Sequence, residues 1–142
     1  MDRVIEFSLN NPILIAALLI VLIAIVANEI LAWRRGKHAI DTTDATQLYN
    51  RDKAVFVDIR GENAFQTSHL PGAVNIPMTH LQKRQDKLKR FKGRSIIVYC
   101  DNGQTTLKAV KALRELGWPE VYQLKGGLDA WRDASMPTEG RG

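Results

Sequence analysis

The sequence predicts an α/β fold, a mostly parallel central sheet flanked by helices, preceded by one N-terminal transmembrane helix. Three observations carry this. From Ile13 to Ala27 no side chain is polar. Beyond about residue 42, short apolar runs rich in β-branched residues alternate with amphipathic stretches, the pattern of strands and covering helices. The lone cysteine, Cys100, closes the run Ser95-Ile96-Ile97-Val98-Tyr99, and a short polar loop then leads into another amphipathic stretch.

A chain of 142 residues accommodates one domain and an appendage. One cysteine excludes an intramolecular disulfide framework and any multi-cysteine metal site. The three histidines are far apart with no ligand spacing, so neither a metal nor another cofactor is expected. Lys and Arg outnumber Asp and Glu by 20 to 15, and the excess lies after residue 33.

Residues 12–33 read as the membrane helix. Pro12 suits a first turn, Trp33 suits the membrane interface, and the length of about 33 Å suffices for a ~30 Å hydrocarbon core. Glu29 lies within about a turn of the Trp33 end. A cleaved signal peptide is the competing reading. It calls for a basic start and a small-x-small cleavage site, whereas Asp2, Arg3 and Glu6 give no positive bias and no such pair stands out. Arg34, Arg35 and Lys37 crowd the C-terminal flank against Arg3 alone on the other side. The positive-inside rule therefore places residues 1–11 outside and the C-terminal domain in the cytoplasm. A thiol that must stay reduced agrees.

Residues 34–42 read as a basic juxtamembrane linker, 43–135 as the folded domain and 136–142 as a flexible tail. Within the domain, Thr43 or Asp44 caps a brief helix through about Tyr49. Ala54–Arg60 is a buried strand turning polar at its end, and Glu62–Thr67 a short helix. His69–Pro77, punctuated by Pro and Gly, has room for one very short strand. Thr79–Phe91 reads as a basic helix with Leu81, Leu88 and Phe91 inward. Its Lys83, Arg84, Lys87, Lys89 and Arg90 form a solvated face or a contact for anionic lipid or a membrane protein partner. Nucleic acid is not expected, because Phe91 alone is available for stacking. Thr105–Leu116 is an amphipathic helix stopped by Gly117 and Pro119, Val121–Leu124 a strand, and Lys125-Gly126-Gly127 a tight turn into a helix that buries Trp131.

Cys100 thus sits at a strand–loop–helix junction. Loop N–H groups and the helix dipole favour thiolate, the reactive form. The bland alternative is a small apolar cysteine buried at a strand end.

Asp58-Ile59-Arg60, then Ser68-His69-Leu70-Pro71-Gly72-Ala73-Val74-Asn75-Ile76-Pro77, then Cys100, then Lys125-Gly126-Gly127-Leu128-Asp129-Ala130-Trp131 follow in an order that resembles the single-domain rhodanese family of sulfurtransferases. The resemblance covers roughly Thr42–Trp131. With the anchor, the chain is similar to bacterial inner-membrane rhodanese-like proteins. The resemblance implies that Cys100 is the catalytic residue and takes sulfane sulfur from a donor as a persulfide. A thiol acceptor then removes that sulfur.

The loop Asp101-Asn102-Gly103-Gln104-Thr105 would bind substrate through its N–H groups, with Gly103 curling it and Thr105 capping the next helix. Many thiosulfate-using relatives carry a basic residue at the loop's sixth position. Here that position is Thr105, and Asp101 adds negative charge beside the sulfur. Thiosulfate is therefore expected to be a poor donor unless Arg60 or Lys125, the candidate anion contacts, reaches in. Ser68 replaces the family's usual glycine. His69 is expected as a turn residue rather than a general base. Dual-specificity phosphatases sharing this fold need an arginine six residues after the cysteine, where this chain has Thr106. The rival to sulfur transfer is a membrane-tethered interaction module of the same fold with little or no turnover.

Overall fold

The computed structural model describes residues 1–36 and 38–141, with the side chains of residues 32–36 excluded. Trp33, read as the interfacial anchor, and Arg34, Arg35 and Lys37, read as the basic flank, therefore lie outside the described side chains. The chain divides into two compact units, Met1–Lys37 and His38–Gly142.

The first unit is helical. Helix α1 spans Asp2–Asn10, and α2 spans Pro12–Gly36. Within α2, Pro12–Leu31 has a mean hydropathy of 2.8, and none of it is buried. Ile13, Ile20 and Ile23 are each more than 60 % exposed. Twenty helical residues rise about 30 Å, so this helix is long and apolar enough to cross a membrane.

The second unit is built on five short strands. In chain order come β1 (Ala39–Ile40), α3 (Thr42–Arg51), β2 (Val55–Asp58), α4 (Glu62–Thr67) and β3 (Val74–Asn75). Two 3-10 turns follow, Met78–His80 and Gln85–Phe91. Then come β4 (Ile96–Tyr99), α5 (Thr106–Glu115), β5 (Val121–Leu124) and α6 (Gly127–Asp133). The strands pair in parallel throughout, in the order β1-β5-β4-β2-β3. All four residues of β2 and of β4 are buried, because a parallel sheet is covered on both faces and its central strands read as unbroken apolar runs.

Successive side chains point to opposite faces. Val55, Val57, Ile96, Val98 and Cys100 pack on one side with Ala109, Val110 and Leu113 of α5, joined by Leu81 and Leu88. Phe56, Ile97 and Tyr99 pack on the other with Ala45 of α3 and Leu128 and Trp131 of α6. Trp131 meets Phe56 edge to face at 5.4 Å, the arrangement that aromatic quadrupoles favour.

Three expectations are corrected. The linker ends before residue 42: Ala39–Ile40 joins the sheet edge against Gln123 and Leu124, and α3 starts at Thr42 with Asp41 as its cap, its carboxylate accepting from Asp44 N–H at 2.8 Å. Thr79–Phe91 is no single helix. Like charges three or four apart, at Lys83, Lys87 and Arg90, oppose one, and the chain buries Leu81 just after one 3-10 turn and Leu88 within the next. The segment after Met136 is bonded to the domain rather than frayed. His69 and Glu139 exchange backbone hydrogen bonds of 2.8 Å, Arg141 N–H reaches Gln66 O, and the Trp131 indole donates to Pro137 O at 2.8 Å.

Candidate functional site

The two central strands, β2 and β4, lie side by side with Asp58 opposite Tyr99. The chain leaves β2 for one edge of the sheet and β4 for the other. A crevice forms outside the carboxyl ends of strands at such a reversal. Arg60 emerges there from β2 and Cys100 from β4.

Cys100 is 7 % exposed. Its Sγ accepts from Gly103 N–H at 3.0 Å and lies 3.4 Å from Thr106 Oγ1 and 3.9 Å from Asn102 Oδ1. Burial pushes the thiol up. The Thr106 hydroxyl, the hydroxyl and N–H of Thr105 and the N–H of Gly103 together outweigh it, leaving Cys100 below the ordinary thiol range. The loop is only partly a cradle, because Gln104 N–H is committed to Asn102 Oδ1 at 3.1 Å. Thr105 caps α5 in position, but its side chain makes no cap hydrogen bond.

Two glycines fix this geometry. Gly103 has φ of +86°, which curls the loop so that its N–H faces the sulfur. Gly127, at φ +59°, lies so close to the loop that a Cβ there would meet Cys100 O at 2.3 Å and Asp101 O at 2.8 Å. The first turn of α6 consequently takes the loop's carbonyls, with Leu128 N–H on Cys100 O and Asp129 N–H on Asp101 O at 2.8 and 2.9 Å. Those acceptors are turned away from the thiolate, and the loop's donors are left to face it.

Arg60 does not reach the sulfur. Its Nε and Nη2 grip the fully buried Asp58 at 2.7–3.0 Å, Nη2 also donates to Ser68 O, and Nη1 reaches Asp101 Oδ1 at 3.1 Å. Asn75 Nδ2 closes the same turn by donating to the carbonyls of Asp58 and Arg60. The expected anion contact is thus a clip that ties the β2 end, the Ser68 turn and the cysteine loop together. Asp101, expected to oppose the thiolate, faces this guanidinium instead. Lys125 is exposed, and its backbone N–H donates to Ile40 O at 2.8 Å. His69 stacks on Phe65 at 4.0 Å, holds Phe65 O through Nδ1 and lies 3.6 Å from Glu139, so it belongs to the turn.

Thr106 is the site residue that the sequence reading left out. A polar residue wholly buried at the first turn of α5, six positions after the cysteine, is the signal that could have found it. Among the described residues, no group of three His, Cys, Asp or Glu side chains is close enough to hold a metal ion.

A buried thiol at the carboxyl end of a parallel-sheet strand, wrapped by a glycine-curled loop, is the candidate site of a rhodanese fold. The chain belongs to the rhodanese-like domain family, whose model matches residues 41–134. Over 138 residues it is 26 % identical to the protein YibN of Escherichia coli, covering 96 % of both chains. It is 30 % identical over 99 residues to the thiosulfate sulfurtransferase GlpE of Coxiella burnetii, covering 70 % of this chain and 90 % of that one. Among solved structures, the BH2092 protein of Bacillus halodurans superposes with a TM-score of 0.65 at 28 % identity, over 80 % of this chain and 86 % of that one. The family is of sulfurtransferase type.

Proposed function

We propose that this protein is a membrane-anchored sulfurtransferase that passes sulfane sulfur through a persulfide on Cys100. The single observation that carries the reading is the lowered Cys100 thiol beneath Gly103 N–H and Thr106 Oγ1. In the first step the Cys100 thiolate attacks the terminal sulfur of a donor persulfide R–S–SH. The Sγ–S bond forms, the donor S–S bond breaks, and R–S⁻ leaves with the electron pair while the proton stays on the transferred sulfur. In the second step an acceptor thiolate attacks that outer sulfur and Cys100 leaves as thiolate, ready for another cycle. The N–H donors that hold Sγ lower the energy of each anionic state without reorganising.

Persulfides are the better donors on this reading. Arg60 is engaged by Asp58, Asp101 and Ser68, so the loop offers a dianionic thiosulfate no cation from that side chain. The apolar surface of α2 supports an anchor in the bacterial inner membrane. The flank of Arg34, Arg35 and Lys37 supports an external N-terminus and a cytoplasmic domain, where thiols stay reduced.

The test is intact-mass analysis of the full chain after exposure to thiosulfate, a low-molecular-weight persulfide or a persulfide-carrying protein. A gain of one sulfur from the persulfides, absent in Cys100→Ser, is the expected result. No gain from any donor by reduced, folded protein would replace sulfur transfer with the tethered interaction module.

A further inference from the structure

The cationic side chains between residues 83 and 94 separate into two surfaces. One depression, lined by Arg84, Lys87 and Arg90, also contains Glu62 and Asp86, and Lys87 is drawn to Asn75 O at 3.5 Å. Its lining therefore mixes three cations with two carboxylates, although none of them forms an ion pair among the described residues. The other is a groove of about 880 Å³ at the amino ends of β4 and β5, opposite to the Cys100 end. Lys89, Lys92 and Arg94 line it together with Leu116, Trp118 and Pro119. Its one carboxylate, Glu120, accepts the Ser95 hydroxyl at 2.8 Å. None of the three exposed cations has a carboxylate within ion-pair distance among the described residues. The Arg94 guanidinium is stationed over the Phe91 ring, 5.6 Å from its centroid. Trp118 is half-buried against the core and presents the rest of its ring to the groove.

We propose that this groove is a binding site for the glycerophosphate headgroup of an anionic phospholipid. The chemistry is complementary at both ends of such a ligand. Three unanswered cations face the phosphate, and Trp118, Pro119 and Leu116 offer the apolar, partly polar floor that suits the interface between headgroup and acyl chain. Location adds to this, and this strand of the argument rests on the membrane anchor proposed above. The folded unit starts at His38, whose carbonyl accepts from Gln123 N–H and whose ring contacts Arg114, beside the strand that the Leu116–Glu120 loop feeds. A bilayer holding the preceding helix keeps the groove at a high effective concentration of headgroups.

The test is hydrogen exchange of the full chain in nanodiscs of phosphatidylcholine with and without phosphatidylglycerol. Peptides covering 85–94 and 116–120 should exchange at least about threefold more slowly with phosphatidylglycerol, and the protection should vanish in Lys89→Gln/Lys92→Gln/Arg94→Gln but persist in Lys83→Gln/Lys87→Gln. Equal exchange in both discs, or protection equally sensitive to the two variants, overturns the site. Protection by inorganic phosphate or polyglutamate that matches phosphatidylglycerol also overturns it, in favour of a free anion or an acidic peptide. Failure of the chain to co-elute with discs counts against the anchor alone. The groove is then judged by the same exchange measurement with monodisperse dihexanoyl phosphatidylglycerol, where unchanged exchange overturns it.

Discussion

At the carboxyl ends of β2 and β4, the Arg60 guanidinium touches Asp58, Asp101 and the Ser68 carbonyl, and its side chain is 8 % exposed. At the amino ends of β4 and β5, Lys89, Lys92 and Arg94 surround Trp118 with no carboxylate in ion-pair range among the described residues. The same residue type is architecture at one end of the sheet and available charge at the other. The difference lies in burial. A guanidinium enclosed beside a buried carboxylate must be matched by hydrogen bonds, whereas a solvated one keeps its water and exchanges it for a ligand. Activation of the thiol therefore relies on neutral donors, the N–H groups of Gly103 and Thr105 and the hydroxyls of Thr105 and Thr106.

Removing the buried clip should have the largest effect on stability. Arg60→Ala leaves Asp58 buried and unpaired, a change that typically costs about 3–5 kcal/mol. Urea denaturation should show that loss, with Arg60→Lys falling between it and wild type because an ammonium cannot reproduce the fork. A loss below about 1 kcal/mol would mean that Asp58 is satisfied without it. Gly127→Ala comes next. A methyl group against Cys100 O and Asp101 O, at positive φ, should lower stability by about 2–4 kcal/mol and loosen the loop. Sulfur uptake by whatever fraction remains folded should fall with it.

Thr106→Val, nearly isosteric, isolates the electrostatic role. The pH midpoint of Cys100 alkylation should move up, because one of the groups that lowers the thiol is gone. The linkage has a definite sign. Because folding lowers this thiol, the thiolate contributes stability that is complete above the unfolded value and lost as pH falls through the folded one. Wild-type stability should therefore rise with pH between those two values, and rise less in Thr106→Val. The smallest effect is expected for Asp101→Asn. Its carboxylate is 66 % exposed, so stability should change by less than about 1 kcal/mol. The thiol midpoint should hardly move, because Arg60 already faces that charge. A large downward movement would show that Asp101 acts on the sulfur after all.

The sheet's centre and the cysteine loop were legible because their signals are local and redundant. Ile96–Tyr99 is apolar without interruption, Gly103 marks the curl, and Thr106–Glu115 carries a helical period ended by Gly117 and Pro119. Ala39–Ile40 was not legible, because two residues between polar neighbours carry no period and the strand exists only through β5. Residues 79–91 carried a misleading signal. Leu81 and Leu88 are spaced as on one helix face, yet the chain buries Leu81 just after one 3-10 turn and Leu88 within the next. The engagement of Arg60 was not legible because it combines Asp58 two residues before it and Ser68 eight after it with Asp101 from another strand's end, and no local pattern reveals which carboxylates and carbonyls an arginine will choose. The C-terminal segment hides its order for a related reason: Pro137, Thr138 and Gly140 look like a loop, whereas the bonds that hold it run from Glu139 and Arg141 to residues 66–72.

That segment also bears on the order in which the domain assembles. The contact between Gly72 and Glu139 joins positions 67 apart, so its closure entropy is met only after β2, β4 and α6 have brought the two regions near each other. Residues 136–141 are therefore expected to form last and to open first. In hydrogen exchange the amides of His69, Glu139 and Arg141 should open together, ahead of the β4 amides. Such an opening withdraws Pro137 O from the Trp131 indole while the sheet stays intact.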